Sequence, residues 1–93
     1  MKAVAEIQII PIGSGTSVRP WVRRAQAIIA ASDLVVQEHS FGTNVEGELE
    51  TVFRVLREIH ETLHAEGVVR LSSAIKIGTR TDKSPDLASK LRE

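Results

Sequence analysis

The chain has 93 residues, no cysteine, and 12 basic and 12 acidic residues that cancel to a formal net charge of zero. This length predicts one domain over residues 1–93 with a thin core, so an exposed apolar sheet face would need a second copy to cover it. The charge balance argues against nucleic-acid and membrane-surface binding, which depend on a basic excess, and the missing cysteines exclude disulfides, thiolate catalysis and cysteine-based zinc sites.

The N-terminal segment is predicted to form the first strand, over residues 3–12. Its odd-numbered residues from Ala3 to Ile9 are uniformly apolar and should face helices. Its even-numbered residues mix aliphatic side chains with Glu6 and Gln8, which is typical of a sheet face that is partly wet or packed against a partner. Because these polar residues interrupt the apolar run, we do not interpret the segment as a signal peptide. No stretch approaches the roughly 20 apolar residues of a membrane span, so we expect a cytoplasmic protein.

The loop over residues 11–17, PIGSGTS, joins this strand to a helix predicted over 17–32. Its two glycines can adopt backbone angles that are closed to other residues, and Thr16, Ser17 or Arg19 is expected to cap the helix. Free backbone N–H groups at a helix start, together with the helix dipole, favour a polar or anionic ligand. The loop lacks the lysine of a Walker loop and the third glycine of a dinucleotide fingerprint, so it indicates a site without identifying a ligand.

Three more strands and a second helix are predicted along the rest of the chain. Their boundaries follow from alternating apolar positions in strands, from i, i+3, i+4 apolar spacing in helices, and from glycines at corners. The predicted segments are a strand over 34–41, a corner at Gly42, a strand over 43–47, a helix from Glu48 to about Glu66, a stop at Gly67, a strand over 68–78 and a short helix within 84–93.

The order β-α-β-β-α-β predicts the fold class, which is α+β. Each β-α-β half takes a right-handed crossover, and this gives a four-stranded antiparallel sheet with both helices on one face, the ferredoxin-like plan. Each helix carries an apolar stripe that should pack on the sheet. The stripe residues are Val18, Trp21, Val22, Ala25, Ile28, Ile29 and Ser32 in the first helix, and Leu49, Val52, Phe53, Leu56, Ile59, His60 and Leu63 in the second.

Three stretches carry a joint signature: AEIQIIPIGSGTSV over residues 5–18, FGTNVEGELETVF over 41–53 and SAIKIGTRTDK over 73–83. Together they resemble the small ferredoxin-like thiamine-binding proteins, also called YkoF-like, over about residues 3–83. The resemblance implies a cytosolic binding protein without a cofactor, and not an enzyme. It implies homodimers that pair into tetramers through the sheet face away from the helices. It also implies thiamine, or its hydroxymethylpyrimidine part, as the ligand.

The resemblance carries Ser17, Thr43 and Glu46 over as ligand contacts. A carboxylate such as that of Glu46 accepts hydrogen bonds from the amino group and the protonated ring nitrogen of an aminopyrimidine. The structural alternatives are a helix cap for Ser17, a strand position for Thr43 and a favourable interaction of Glu46 with the dipole of the second helix. Phe41 is the better stacking candidate for a thiazolium cation, since Trp21 and Phe53 fit the helical stripes. The predicted ligand-binding residues are Gln8, Gly13, Ser17, His39, Phe41, Thr43 and Glu46, and no catalytic or metal-binding residue is assigned.

Residues 60–64, HETLH, match the H-E-x-x-H motif of zinc proteases. His60 and His64 would hold the metal and Glu61 would act as the general base. A catalytic zinc site needs a third protein ligand, and His39 is the one histidine left, so a zinc hydrolase is the less favoured reading. A structural or regulatory homo-oligomeric module without a small-molecule ligand is the main alternative to thiamine binding.

Overall fold

The computed structural model describes residues 1–13, 15 and 17–88. Six elements follow one another in the predicted order β-α-β-β-α-β, and most of their ends lie within two residues of the predicted ones. They are β1 (Lys2–Ile12), α1 (Arg19–Ala30), β2 (Val35–His39), β3 (Gly42–Glu48), α2 (Leu49–Ala65) and β4 (Arg70–Gly78).

The four strands form one antiparallel sheet in the order β2-β3-β1-β4. Both helices pack on one face of this sheet, where the odd-numbered β1 residues Ala3, Ala5 and Ile7 are buried together with Ile29 of α1 and Ile59 of α2. The predicted α+β ferredoxin-like fold is therefore confirmed. The other face is called the open face below, and its cross-strand pairs of β1 and β4 include Glu6 with Lys76, Gln8 with Ala74, and Ile10 with Ser72.

The start of α1 differs from the predicted one. The capping residue is Val18, which makes no side-chain cap hydrogen bond, so the prediction of Ser17 or Arg19 as the cap is wrong. Pro20 in the first turn has no N–H to offer a capping side chain. The Val18 carbonyl instead accepts hydrogen bonds from the backbone N–H groups of Trp21 and Val22, at 3.0 and 3.1 Å. The third cap candidate, Thr16, lies outside the described residues.

The buried stripe of α2 differs from the predicted one at Phe53. Its buried residues are Val52, Val55, Ile59 and Leu63, while Phe53 is 51% exposed. Consecutive residues on a helix are turned by about 100°, so a helix that buries Val52 and Val55 turns Phe53 toward solvent. The prediction of Phe53 as a core residue is wrong because Val55, not Phe53, completes the spacing with Ile59.

The β2–β3 turn consists of Ser40 and Phe41, and Gly42 is the first residue of β3 instead of the corner itself. A Cβ atom added to Gly42 would lie 2.9 Å from the carbonyl oxygen of Ile7. Glycine is therefore required by the close approach of β3 to β1, and not by the angles of the turn.

Of the helix predicted within 84–93, the structure gives helical residues 87 and 88, and residues 89–93 lie outside the described part. Within the described ranges, no helix is long and apolar enough to cross a membrane.

Candidate functional site

The polar residues that the sequence groups into one signature lie on opposite faces of β3. Residues three apart on a strand point to opposite faces, and Thr43 and Glu46 obey this rule. The Thr43 side chain faces the helices and is 4% exposed, whereas Glu46 lies on the open face, opposite Val4 of β1. One protomer therefore does not gather Thr43 and Glu46 around a single small ligand.

A pocket of about 250 Å³ lies on the Thr43 side of the sheet, between α1, β1 and the β2–β3 turn. It forms because β3 stops pairing with β1 at Ile7, while β1 continues along β4 to Ile12. The apolar side of α1, including Val22 and Ala25, covers the space beyond Ile7. Ligand pockets commonly have about 300–1,000 Å³, so this one suits a single substituted ring better than an extended cofactor.

The Thr43 hydroxyl is the polar group best placed to bind a ligand in this pocket. It makes no hydrogen bond to another part of the described chain, although the residue is almost fully buried. No enclosed side-chain nitrogen or oxygen among the described residues lacks a partner. The unpaired Thr43 oxygen therefore keeps access to the pocket, where it can both donate and accept.

Gln26 of α1 also lines the pocket and makes no side-chain hydrogen bond within the described residues, and it is not among the residues predicted from the sequence. The side chain is half-buried and carries both a donor and an acceptor. A signal for it exists in the sequence, since Val18, Val22 and Gln26 are spaced by four and share one side of a helix. Thr43 and Gln26 thus approach the pocket from the sheet and from the helix.

The pocket is nearly free of charge. Among the described residues that line it there is no carboxylate, lysine or arginine, and His39 is the one titratable side chain. An anionic ligand would find no positively charged side chain in this lining. Of the polar and anionic ligands that the loop at residues 11–17 predicts, the lining therefore does not favour the anionic ones. A neutral ring with a few hydrogen-bonding groups matches it better.

Phe41 forms the exposed rim of the pocket, with 79% of its surface free. Gln8 also contacts the pocket, although its side chain lies on the open face. Gly13, with a φ of 73°, and Ser17 belong to the loop beyond β1, and within the described part of the chain neither lines the pocket, whereas Val18 does. The structure thus brings Gln8, His39, Phe41 and Thr43 together, sets Gly13 and Ser17 outside the lining and separates Glu46.

His39 holds the β2–β3 turn through both ring nitrogens. Its Nδ1 accepts a hydrogen bond from the Phe41 N–H at 3.3 Å, and its Nε2 lies 3.1 Å from Oε2 of Glu6 on β1. Because Nδ1 acts as an acceptor, a neutral ring carries its proton on Nε2, directed at the carboxylate. His39 lies at the pocket, but its hydrogen-bonding groups are already engaged.

Glu46 is engaged in the same way, on the other side of the sheet. Its Oε1 accepts a hydrogen bond from the Leu87 N–H at 2.9 Å, and its Oε2 lies 3.9 Å from Nζ of Lys2. The side chain is 14% exposed, and Pro85, two residues before Leu87 in the chain, is also buried. Glu46 therefore fastens the C-terminal segment across the open face, a partner that neither sequence alternative named.

The two histidines of the HETLH motif are also bound to the protein. His60 Nε2 lies 2.8 Å from the Ser73 hydroxyl, and His64 Nδ1 lies 2.7 Å from the Val68 carbonyl oxygen. Their ring centroids are 6.3 Å apart. The described residues contain no group of three or more potential metal ligands, so no third ligand joins the pair there.

The fold and the pocket define a small ferredoxin-like protein with a ring-sized cavity beside its first helix. A family model described as Thiamine-binding protein matches residues 5–93. The chain belongs to this thiamine-binding protein family, which confirms the resemblance found in the sequence.

The similarity to known relatives covers nearly the whole chain. A UPF0045 protein of Synechocystis sp. is 34% identical over 92 residues, which cover 99% of this chain and 76% of that protein. A UPF0045 protein of Methanocaldococcus jannaschii is 37% identical over 98% of this chain and 90% of its own length. A crystal structure of a protein from the same organism has a TM-score of 0.90 with 37% identity, covering 98% of this chain and 93% of the other.

One further structure is similar in fold alone. It is a Thermotoga maritima protein, described as a candidate thiamine biosynthesis/salvage protein, with a TM-score of 0.88 and 18% identity over 99% of this chain and 97% of its own. At this identity the likeness supports the ferredoxin-like architecture. It does not carry the ligand over to this chain.

Proposed function

We propose that this protein binds thiamine (vitamin B1) or its hydroxymethylpyrimidine part without catalysing a reaction, as a cytoplasmic homo-oligomer. The single observation that carries the proposal is the unpaired hydroxyl of Thr43, nearly buried, that opens into the uncharged pocket under α1. Membership of the thiamine-binding family supports the choice of ligand. In this proposal Thr43 and Gln26 bind the ligand, and Glu46 holds the segment at Leu87.

The pyrimidine half of thiamine fits the character of the pocket. It is a flat, neutral ring with an amino group, ring nitrogens and a methyl group, so it can fill an apolar space and still use a few polar contacts. The Thr43 hydroxyl can donate to a ring nitrogen or accept from the amino group. The cationic thiazolium half would extend toward the rim, where the exposed face of Phe41 offers a cation–π contact.

The homo-oligomer is proposed because the open face has apolar side chains that are exposed in the described part of a single chain. Ile10 and Ile12 of β1 are 40% and 38% exposed, and Val35 of β2 is 55% exposed. With a formal net charge of zero, little charge repulsion opposes self-association. A second copy packed on this face would shield these residues and would lie next to Gln8, which contacts the pocket from the open face.

The ligand proposal is tested by calorimetric titration of the full chain with thiamine and with hydroxymethylpyrimidine. We expect saturable binding of at least one of them, and we expect Thr43→Val to weaken it by about 3- to 10-fold, since one neutral hydrogen bond is lost. Thr51→Val is the matched control, because Thr51 lies on α2 and does not line this pocket. The absence of binding to both compounds by folded protein would favour the structural or regulatory module without a ligand.

The assembly is tested by analytical ultracentrifugation of two alanine-to-glutamate variants. Ala74 lies at the centre of the open face, opposite Gln8, whereas Ala27 is exposed on α1. If copies associate through the open face, Ala74→Glu lowers the sedimenting mass and Ala27→Glu does not. A wild-type chain that sediments as a monomer contradicts the assembly while leaving the ligand proposal intact.

A further inference from the structure

The backbone of β1 has an unpaired stretch at the pocket. The pairing of β1 with β3 ends at Ile7 and Thr43, but its pairing with β4 continues without a break to Ile12. Among the described residues, no strand therefore lies beyond Ile7 along the edge of β1 that faced β3. The pocket lies beside this edge, since both Ile7 and Ile9 line it.

The backbone N–H and C=O groups that point to this edge can be identified, because their direction alternates from one strand residue to the next. The carbonyl oxygen of Ile7 points toward β3, because a Cβ atom on Gly42 would lie 2.9 Å from it. The N–H and C=O groups of one strand residue point to the same side, and the side alternates from residue to residue. The N–H and C=O of Ile9 therefore point to the same edge as those of Ile7, where the β2–β3 turn makes no backbone hydrogen bond with them.

Pro11 supports this assignment independently. Proline has no N–H and is tolerated within a sheet where its nitrogen faces an unpaired edge. Pro11 is paired in register with Leu71 of β4, and its odd position turns its nitrogen away from β4, to the same side as Ile9. The free edge thus has one complete backbone donor and acceptor pair at Ile9, followed by a residue that cannot donate.

We propose that the backbone N–H and C=O of Ile9 form a fixed recognition pair for a ring that has an acceptor nitrogen beside an amino group. The N–H donates to the ring nitrogen and the C=O accepts from the amino group, as a neighbouring strand would. This deepens the proposed function and rests on it for the pyrimidine, whose ring nitrogen and 4-amino group have this arrangement. The role predicted from the sequence for the Glu46 carboxylate passes to this neutral backbone pair.

The inference explains why the pocket can do without a charged side chain. A strand edge supplies a donor and an acceptor at a fixed spacing, held in place by the β1–β4 ladder on the other side. The Thr43 hydroxyl, at the last β1–β3 pair, borders the same space. A bound ring would continue the sheet from Thr43 past Ile9, with α1 covering its face.

The first test uses amide hydrogen exchange in the free, isotope-labelled full chain. Ile7 and Ile9 are a matched pair, since both are isoleucines on the same edge of β1 and differ in having β3 beside them. We expect the Ile9 amide to exchange about a hundredfold faster than that of Ile7, because it has no strand partner. Equal protection of the two amides in the free protein would overturn the inference, whatever the ligand is.

The second test adds hydroxymethylpyrimidine, and then the same ring with hydrogen in place of the 4-amino group. We expect the first compound to shift the Ile9 amide resonance and to slow its exchange about tenfold or more, and the second to bind about 5- to 10-fold more weakly. If both compounds bind equally and leave the Ile9 amide unchanged, the inference is wrong while the proposed function stands.

If neither pyrimidine binds, the proposed function fails, and the inference is then judged with 2-aminopyridine. This is a simple six-membered aromatic ring with an acceptor nitrogen beside an amino group, and millimolar amounts can be added to the same labelled sample. A shift of the Ile9 amide that is larger than that of Ile7 supports the recognition pair without thiamine chemistry. An unshifted Ile9 amide overturns it.

Discussion

The two ends of β3 carry polar side chains that are used in opposite ways. At the start of the strand, the Thr43 hydroxyl is nearly buried and unpaired, and it opens into a pocket. Three residues later, the Glu46 carboxylate bonds to the Leu87 N–H and lies near Lys2. The comparison teaches that polar character alone does not mark a binding residue, because an engaged group stabilises the fold and a free group remains available to a ligand.

The difference has a simple origin in the alternation of the strand. Thr43 faces the layer between sheet and helices, where the hairpin stops short and leaves space under α1. Glu46 faces the open side, where its carboxylate bonds to the backbone N–H of Leu87. Each end of β3 can therefore be altered without the other, which makes the comparison testable by substitution.

The largest effect is expected at the Thr43 end, from Gly42→Ala. The added Cβ would meet the Ile7 carbonyl oxygen at 2.9 Å, and because this atom belongs to the backbone, the strands themselves must move apart. We expect a loss of about 1–3 kcal/mol in the free energy of unfolding, measured by urea denaturation. Gly78→Ala is the control, since Gly78 has open space around its Cβ position, and equal stability of the two variants would contradict the close approach of β1 and β3.

A smaller effect is expected at the other end, from Glu46→Gln. The glutamine amide lacks the negative charge with which the Glu46 carboxylate strengthens its bond to the Leu87 N–H and attracts Lys2. We expect this loss to lower the free energy of unfolding by about 1 kcal/mol. The affinity for hydroxymethylpyrimidine should stay within about twofold, because the pocket lies on the other face.

Glu48→Gln is the matched control for that change. Glu48 pairs with the N-terminal amino group, but its side chain is 63% exposed, against 14% for Glu46. Exposed ion pairs contribute little, so we expect this variant to be the milder of the two. A Glu46→Gln variant of full stability with strongly weakened ligand binding would reverse the roles assigned to Thr43 and Glu46.

The smallest effect concerns the turn that leads from β4 to the segment held by Glu46. The Arg80 guanidinium donates to both carboxylate oxygens of Asp82 at 2.6 Å, and this hydrogen bonding lowers the pKa of Asp82 from 3.8 to about 2. Since the pKa is lowered on folding, the stabilisation is complete above pH 3.8 and is lost as the pH falls from 3.8 toward 2. A carbon-detected NMR titration should show this pKa, and Arg80→Gln should return it toward the ordinary value. An unchanged pKa in that variant would contradict the cause.

The sequence predicts the fold well because its signals are local. The alternation of β1, the helical spacing of α1 and α2 and the glycines between elements lead to the observed order of strands and helices. Errors arise where two local patterns compete. Phe53 fits an apolar stripe on α2 as well as Val55 does, and only the packing against the sheet decides between them.

The site is less predictable, because its contacts join distant parts of the chain. The partner of Glu46 is Leu87, which lies 41 residues away. The free edge at Ile9 depends on where β3 stops pairing, which no side chain near Ile9 reveals. The separation of Thr43 from Glu46 was nevertheless readable, since a spacing of three on a strand places two residues on opposite faces.

The most direct test of the pocket under α1 is a crystal structure of the full chain grown with hydroxymethylpyrimidine. We predict density for the ring between α1 and the β2–β3 turn, with a polar atom of the ring within hydrogen-bond distance of the Thr43 hydroxyl. Density for the ring on the open face beside Glu46, with the pocket under α1 empty, would contradict the account.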